Sequence, residues 1–341
     1  MTDERFNELL GALHGKVVTV IGDFILDEYL IGDTRRVSRE APVIVIDYRE
    51  SRYHPGGAAN AAQNVTALGA RANVLGVVGE DSHGEILAEI LGEKGVDVSG
   101  LVRDGDVATA VKTRIMAGEL NAQKQQIARI DRSSTVPAGS GARETLQEAF
   151  EKLAAGTDAV LFSDYGMGLI PGSLSESVVE TCRARSIPMV VDSRFNLLRF
   201  AGATVATPNE VELYDALKLK DHERTDLDTL VAGVLAKQDI EGLVVTRGSK
   251  GMRVFTGDGA GVGVGIVGSR DVTDVTGAGD TVASALALSL SAGASLGEAA
   301  EIATYAAAVV VMKRGTATVT QDELSAIRKK HPNPETGGDE A

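Results

Sequence analysis

Apolar positions along the chain recur in two rhythms. Short aliphatic and β-branched runs at Val17–Ile21, Val74–Val78, Ala159–Phe162, Met189–Val191, Leu243–Thr246 and Arg253–Phe255 read as strands. Between them apolar residues return every three or four positions. That spacing predicts helices over Ala58–Leu68, Gly84–Lys94, Arg143–Ala154, Leu174–Arg185, Val211–Leu217, Leu227–Lys237, Ala278–Ala292 and Leu296–Met312. Nearly continuous apolar strands alternating with amphipathic helices predict an α/β fold with a mostly parallel sheet covered on both faces. Ligands of such sheets gather beyond the carboxyl ends of the strands.

Two stretches break the rhythm. Tyr29–Tyr53 and Val107–Asp131 carry strand-like runs (Val43–Ile46, Val111–Met116, Gln126–Ile130) with no long helix between them. They predict a small separate sheet, inserted in sequence, that closes over the strand ends as a lid. The domain is expected to span residues 1–330, with lid strands from about 29–53 and 107–131. The polar, Pro/Gly-rich tail at 331–341, HPNPETGGDEA, is expected to be disordered. No internal repeat is apparent.

Composition narrows the function. Aromatic residues are only 4% of 341 and tryptophan is absent, so aliphatic side chains and alanine must fill the core. A formal net charge of −14 argues against broad binding to nucleic acid, which needs clustered Lys and Arg. It leaves room for an anionic small substrate in a locally basic pocket. The single cysteine, Cys182, sits on the apolar stripe of a helix and excludes an internal disulfide or a multi-thiolate zinc site. The start MTDERFNELL carries no apolar signal segment, and no run approaches the ~20 apolar residues of a membrane span. A cytoplasmic protein without membrane or nucleic-acid partners is expected.

The strongest chemical signal is DVTGAGDT at Asp274–Thr281, running straight into the alanine-rich helix VASALALSLSAG. Glycines 277 and 279 let backbone N–H groups around Ala278 converge at a helix N-terminus, a nest for phosphate or for charge on a transferred phosphoryl group. Asp280 would repel a merely bound phosphate, but it makes sense as a base taking a proton from an attacking hydroxyl. A turn followed by an acidic helix start is the plain alternative.

Four further segments carry candidate ligands. HPGGAANAAQNVTALGA at His54–Ala70 offers Gly56 and Gly57 for close backbone approach to a ligand, and Asn60 in the first turn of the helix they open. In VVTVIGDFILD a strand ends in Gly22-Asp23 with Asp27 one helical turn later; such carboxylates can accept sugar hydroxyls, or Asp23 can cap a helix. TPNEVE places Asn209 and Glu212 three residues apart, suited to a water-coordinated Mg²⁺ near phosphates or to a capping box. VVTRGSKGM carries Thr246, Gly248, Ser249 and Gly251 from a strand into a turn that can lie along a nucleotide or simply form a hairpin. Gly263–Gly268 matches GxGxxG by letter, but no helix opens from it and it reads as a glycine-rich strand.

Over residues 15–328 the sequence resembles the ribokinase-like (PfkB) carbohydrate kinases. PGGAAN and DVTGAGD look like the two signatures of that family, and Asn209 and Glu212 match its NxxE motif. The resemblance implies a three-layer α/β/α sandwich with a small β lid, and Mg-ATP phosphorylating a sugar hydroxyl. It also implies Asp280 as base and Gly277–Gly279 as anion hole. Within the family the closer resemblance is to heptose 7-phosphate kinases, carried by GDFILDEY, VSREAPV, KTRIMAGELNAQKQQIARID at Lys112–Asp131, SDYGMG at Ser163–Gly168 and AAAVVVMKRGTATV. It implies substrate contacts from Asp23, Asp27, Gly56, Gly57, Asn60, Lys112, Arg114 and Asp164, nucleotide contacts from Asn209, Thr246, Gly248, Ser249 and Gly251, and a metal held by Glu212 through water. A homodimer is expected from exposed lid strands. The chain departs from the family at Met167 (usually Lys), at Thr304 (usually Asn) and at Ser193-Arg194, where VDPK is common. The rival readings are a family kinase for another sugar or nucleoside, and a non-catalytic sensor, for which a base would be useless.

Overall fold

The computed structural model describes residues 1–119, 123–170, 173–219, 226–257, 261–268 and 272–334. In chain order the elements of the first half are α1 (Asp3–Ala12), β1 (Val17–Gly22), β2 (Phe24–Val37), β3 (Ile44–Gly57), α2 (Ala58–Ala67), β4 (Arg71–Gly79), α3 (Ser82–Glu93), β5 (Leu101–Asp104), β6 (Ala110–Gly118), β7 (Gln125–Arg132) and α4 (Ala142–Leu153). They continue with β8 (Ala159–Asp164), α5 (Ser173–Arg185), β9 (Met189–Ser193), β10 (Val205–Ala206), α6 (Glu210–Ala216) and α7 (Leu227–Gln238). The last are β11 (Gly242–Thr246), β12 (Met252–Thr256), β13 (Val262–Val264), α8 (Ala278–Ser291), α9 (Leu296–Val310) and α10 (Gln321–Lys330).

Among the described residues nine strands form one sheet in the order β13-β12-β11-β10-β9-β8-β1-β4-β5. The strands from β11 to β5 are parallel, and β12 and β13 add antiparallel at one edge. Side chains alternate across this sheet as the pleat requires. Val18, Val20, Leu161 and Val244 face a core shared with α2, α8 and α9, while Ile21, Phe162, Val191 and Val245 face one shared with α4, α5 and α7. The result is the α/β/α sandwich expected from the sequence. Alanines keep α8 slim enough to lie against both α2 and α9, and every residue from Asp280 to Ser289 is buried.

The second sheet, β3-β2-β6-β7, is the lid. Its main strands reach further than the sequence suggested. β2 and β3 are each 14 residues long and pair antiparallel from Phe24–Gly57 at the root to Val37–Ile44 at the tip. The helical spacing read between Asp23 and Asp27 is therefore wrong: Phe24, Ile25 and Leu26 enter the core as a strand, buried on both faces, and Asp23 caps no helix. Four elements escaped the sequence reading, namely α1, β5, β10 and α10. The glycine-rich strand read at Gly263–Gly268 is found over Val262–Val264. Residues 335–341 of the expected tail and 120–122 of the lid segment lie outside the described residues.

Candidate functional site

The site lies where β1, β8 and β9 end beneath the lid root. Gly277 takes a left-handed conformation (φ 78°) as the N-cap of α8. A Cβ there would overlap the Asn60 amide, so only glycine lets α2 and α8 meet at this point. Asn60, fully buried, donates from Nδ2 to Asp280 Oδ2 (2.8 Å) and to the Gly277 carbonyl (3.3 Å). Its Oδ1 is taken by Gln63 and Asn64. Asn60 is thus committed to holding the loop and the carboxylate, rather than to a substrate.

Asp280 accepts a second bond from the Tyr165 hydroxyl at Oδ1 (2.9 Å). Burial pushes its pKa up to about 6, opposed by the Asn60 and Tyr165 hydrogen bonds and by the charge of Lys112. Behind it Asp192 is raised further, to about 8, by burial and then by the Asp280 charge. The Thr281 N–H is the first to close a helical bond, onto Gly277, and Ala278 donates to Val275 (3.2 Å). By position the N–H groups of Gly279 and Asp280 remain to meet an anion. Ala278 therefore contributes less to the nest than expected. A Cβ on Gly279 would find no atom nearer than Asp192 Oδ2 at 4.0 Å, so the space before it is open.

That opening joins a cleft of about 250 Å³ between α8, α9 and the β11–β12 turn. Thr246, Gly248, Ser249 and Gly251 all line it, as does Gly279. Gly251 also answers to the fold, since a side chain there would overlap the Val264 carbonyl of β13. The Thr304 hydroxyl reaches the cleft wall but donates to Ala300 in its own helix (2.9 Å). Asn209 is not part of the lining, though its backbone bridges to Thr246. The capping box considered for TPNEVE is formed: Glu212 N–H donates to Asn209 Oδ1 (2.8 Å) and Asn209 N–H to Glu212 Oε2 (2.9 Å). Glu212 Oε1 takes no protein donor among the described residues, which also contain no cluster of three metal-binding side chains. That suits an ion that keeps most of its water, as Mg²⁺ does.

On the other side of Asp280 the lid contributes cations. Asp27, on β2, accepts from Arg114 of β6 at 2.6 Å, both nearly buried, and the guanidinium also lies 5.3 Å from the Tyr29 ring centre. Gly56 leaves room for this carboxylate, because a Cβ would stand 2.9 Å from Asp27 Oδ2. Gly57 similarly meets the Asp23 carbonyl. Both glycines serve the close packing of β3 on β2. Asp23 Oδ2 accepts the N–H groups of Tyr165 (2.8 Å) and Met167 (3.0 Å), and burial raises its pKa to about 6. Asp164 is occupied by Gly166 N–H, the Ser193 hydroxyl and the Asn196 amide, so it ties β8 to β9 and has no oxygen left without a protein donor.

At this site two cations have no carboxylate in ion-pair contact among the described residues. Lys112 Nζ and the Arg194 guanidinium each lie 4.7 Å from the Tyr165 ring centre. Burial lowers the Lys112 pKa, opposed by Asp27 and Asp280. Arg194, Asp192 and Tyr165 were not read as site residues. Their signal was present in SDYGMG and VDSR, which follow strands β8 and β9 at the sheet's carboxyl edge.

A mostly parallel sheet with a glycine-opened helix, an open cleft and a polar pocket under a lid has the parts of a phosphotransferase site. The profile of the pfkB family carbohydrate kinases matches residues 16–323, and the chain belongs to that family, which makes the class one of ATP-dependent carbohydrate kinases. The chain is 41% identical over 306 residues to "Bifunctional protein HldE" of Geobacter metallireducens, covering 89% of this chain and 61% of that protein. It is 38% identical over 314 residues to the protein of the same name from Trichlorobacter lovleyi, covering 92% and 63%. It thus spans about three fifths of the length of these relatives. The fold is that of Escherichia coli phosphofructokinase-2 in complex with substrates and products (TM-score 0.74, 19% identity, 93% of this chain, 100% of that chain). Arabidopsis thaliana ribokinase complexed with ribose and ATP is similar too (TM-score 0.68, 20% identity, 92% and 99%). Among the described residues no helix is long and apolar enough to cross a membrane.

Proposed function

We propose that this kinase transfers the γ-phosphoryl group of Mg-ATP to the anomeric hydroxyl of D-glycero-β-D-manno-heptose 7-phosphate, giving the 1,7-bisphosphate. The observation that carries the reading is the placement of Asp280: a buried carboxylate with two fixed donors, one residue from the open face of Gly279. The hydroxyl donates to Asp280, its O–H bond breaks toward the carboxylate, an O–P bond forms, and the bond from phosphorus to the ADP oxygen breaks. The N–H groups at the start of α8 face the charge that spreads over the phosphoryl oxygens. ATP fits the cleft beside β11 and α9; bound Mg²⁺ would neutralise phosphate charge, with Glu212 Oε1 reaching it through water.

The heptose phosphate is supported by the lid segment and by cations around the acceptor pocket. Asp23 and Asp27 offer acceptors for sugar hydroxyls, and Lys112 carries a charge that no carboxylate among the described residues pairs directly. Arg114 stays a candidate through donors not used by Asp27. The relatives are named bifunctional, and the family match over residues 16–323 supports reading the shared residues as the phosphotransfer part.

An ADP-release screen over sugars and sugar 7-, 6- and 1-phosphates, followed by phosphorus NMR of the product, tests the acceptor. Asp280→Asn should lower kcat by at least ~10²-fold, the scale of general base catalysis. Near-normal turnover by the folded variant would remove the base. Lys112→Ala should raise KM for the sugar phosphate about 10- to 150-fold, the value of one charge-assisted contact, and leave ATP binding alone. Preference for a neutral sugar or a nucleoside, or no new anomeric phosphate, would overturn the heptose reading and leave the kinase standing.

A further inference from the structure

Tyr165 has no part in the transfer described above, yet its hydroxyl is one of the two protein donors on the base. It follows the last residue of β8, where a mobile surface side chain would be ordinary. Here every part of it is held. Its N–H donates to Asp23 Oδ2 (2.8 Å) and its hydroxyl to Asp280 Oδ1 (2.9 Å). Lys112 and Arg194 each lie 4.7 Å from its ring centre, and Arg194 is itself anchored through its N–H to the Asp164 carbonyl (3.1 Å). The next residue, Gly166, adopts φ 79°, and a Cβ there would stand 2.7 Å from the Phe195 ring.

We propose that Tyr165 is a positioning residue for phosphotransfer: its hydroxyl fixes the rotation of the Asp280 carboxylate so that a free lone pair faces the incoming sugar hydroxyl. The inference rests on Asp280 being the base. Each carboxylate oxygen can accept two bonds, and Asn60 and Tyr165 occupy one site on each. Donors from α2 and from the β8 turn, on opposite oxygens, leave the carboxylate no freedom to turn while still admitting a third donor. Both bonds favour the ionised form against burial. The tyrosine keeps its proton for this role, because burial and the Asp280 charge raise its pKa well above the usual value. The other charged groups acting on Asp280 are Lys112 on β6, Asp27 on β2 and Asp192 on β9, while Arg194 beyond β9 lies against the Tyr165 ring. The Asp23 link gives the arrangement a further property: a proposed sugar ligand and the proposed base are joined through one residue.

Tyr165→Phe deletes the hydroxyl and keeps the ring beside its two cations. In the full chain, the Asp280 carboxyl carbon is titrated by NMR, assigned with Asp280→Asn, and turnover is measured with heptose 7-phosphate and Mg-ATP. Expected are an Asp280 midpoint and an acid limb of kcat raised by about one pH unit, with kcat lowered roughly 10- to 100-fold and KM for ATP unchanged. A folded variant with an unmoved midpoint overturns the proposal, as does unchanged kcat. A lower kcat with an unmoved titration and a lower melting temperature assigns Tyr165 to packing and overturns it equally. The titration needs no acceptor, so it decides even if another sugar is the substrate. Full activity of Asp280→Asn would sink the base reading; an inactive Asp280→Asn beside a normal Tyr165→Phe would sink the tyrosine alone.

Discussion

Asp23, Asp192 and Asp280 are all harder to ionise than a free carboxyl, at about 6, 8 and 6, with burial the leading cause in each. Folded-state values above the unfolded ones mean that the folded chain holds more protons at intermediate pH. Their stabilising contribution is fully present below the unfolded pKa of 3.8 and is lost as pH rises, through about 6 for Asp23 and Asp280 and about 8 for Asp192. Glu298, held down at about 2 mainly by the Arg5 side chain, loses its contribution only in acid and leaves this window alone. We predict that unfolding free energy, from urea melts in metal-free buffer, falls between pH 5 and pH 8, and that Asp192→Asn makes the fall smaller. An identical fall in the variant would show that Asp192 is already ionised in the folded state at pH 5 and holds no extra proton in this window. The same sign governs catalysis: with Asp280 acting as the carboxylate, kcat should rise with pH through about 6. A rate independent of pH from 5 to 7 would contradict that role.

At the scale of elements, the start of α8 separates two uses of glycine within one signature. Gly277 meets Asn60, has φ 78° and sits at the α2–α8 contact, so Gly277→Ala should destabilise the fold by ~1 kcal/mol or more and disturb Asp280 with it. Gly279 faces open space, so Gly279→Ala should leave the melting temperature nearly unchanged and weaken ATP use. Matching effects of the two changes on stability would collapse the distinction. This difference was invisible in the sequence, where both glycines read as parts of one anion nest. What the sequence did carry was the sheet: β1 and β8 are buried along their whole length and β4, β9 and β11 over most of theirs, so each shows a run rich in aliphatic residues. β10 has only two residues to show and β5 none that is fully buried, and neither stood out. β7 is exposed along its whole length, so its chain position, between loop and strand, was legible only from β-branched residues and the resemblance. The strand from Phe24 read as helical because Asp23 and Asp27 are four apart, a spacing that a strand crossing from core to lid shares by accident. Asn209 and Glu212 could be matched to a motif, but only the structure shows that they first serve to cap α6.

In the whole molecule the lid is the least satisfied part. Val37, Val43, Ile44, Tyr48, Ile127 and Ile130 are apolar or aromatic, and all are exposed there. Exposed apolar residues gathered on one small sheet mark an interaction surface, and we propose that a second copy of the chain covers it. Ile130→Glu should then lower the sedimenting mass toward that of one chain without unfolding the body. A wild-type chain that sediments as a monomer at micromolar concentration would rule the dimer out.

The lid also divides labour. Asp27, Lys112 and Arg114 ride on β2 and β6, while the cleft beside α8 and α9 and the whole of β11 belong to the body. The two sets of contacts share little beyond Asp280. Acceptor choice can therefore drift while the phosphoryl donor and its chemistry stay fixed. Transplanting the β2–β3 and β6–β7 hairpins between related chains would exchange one sugar for another, with a root at Asp23 and Gly57 that must be carried across intact.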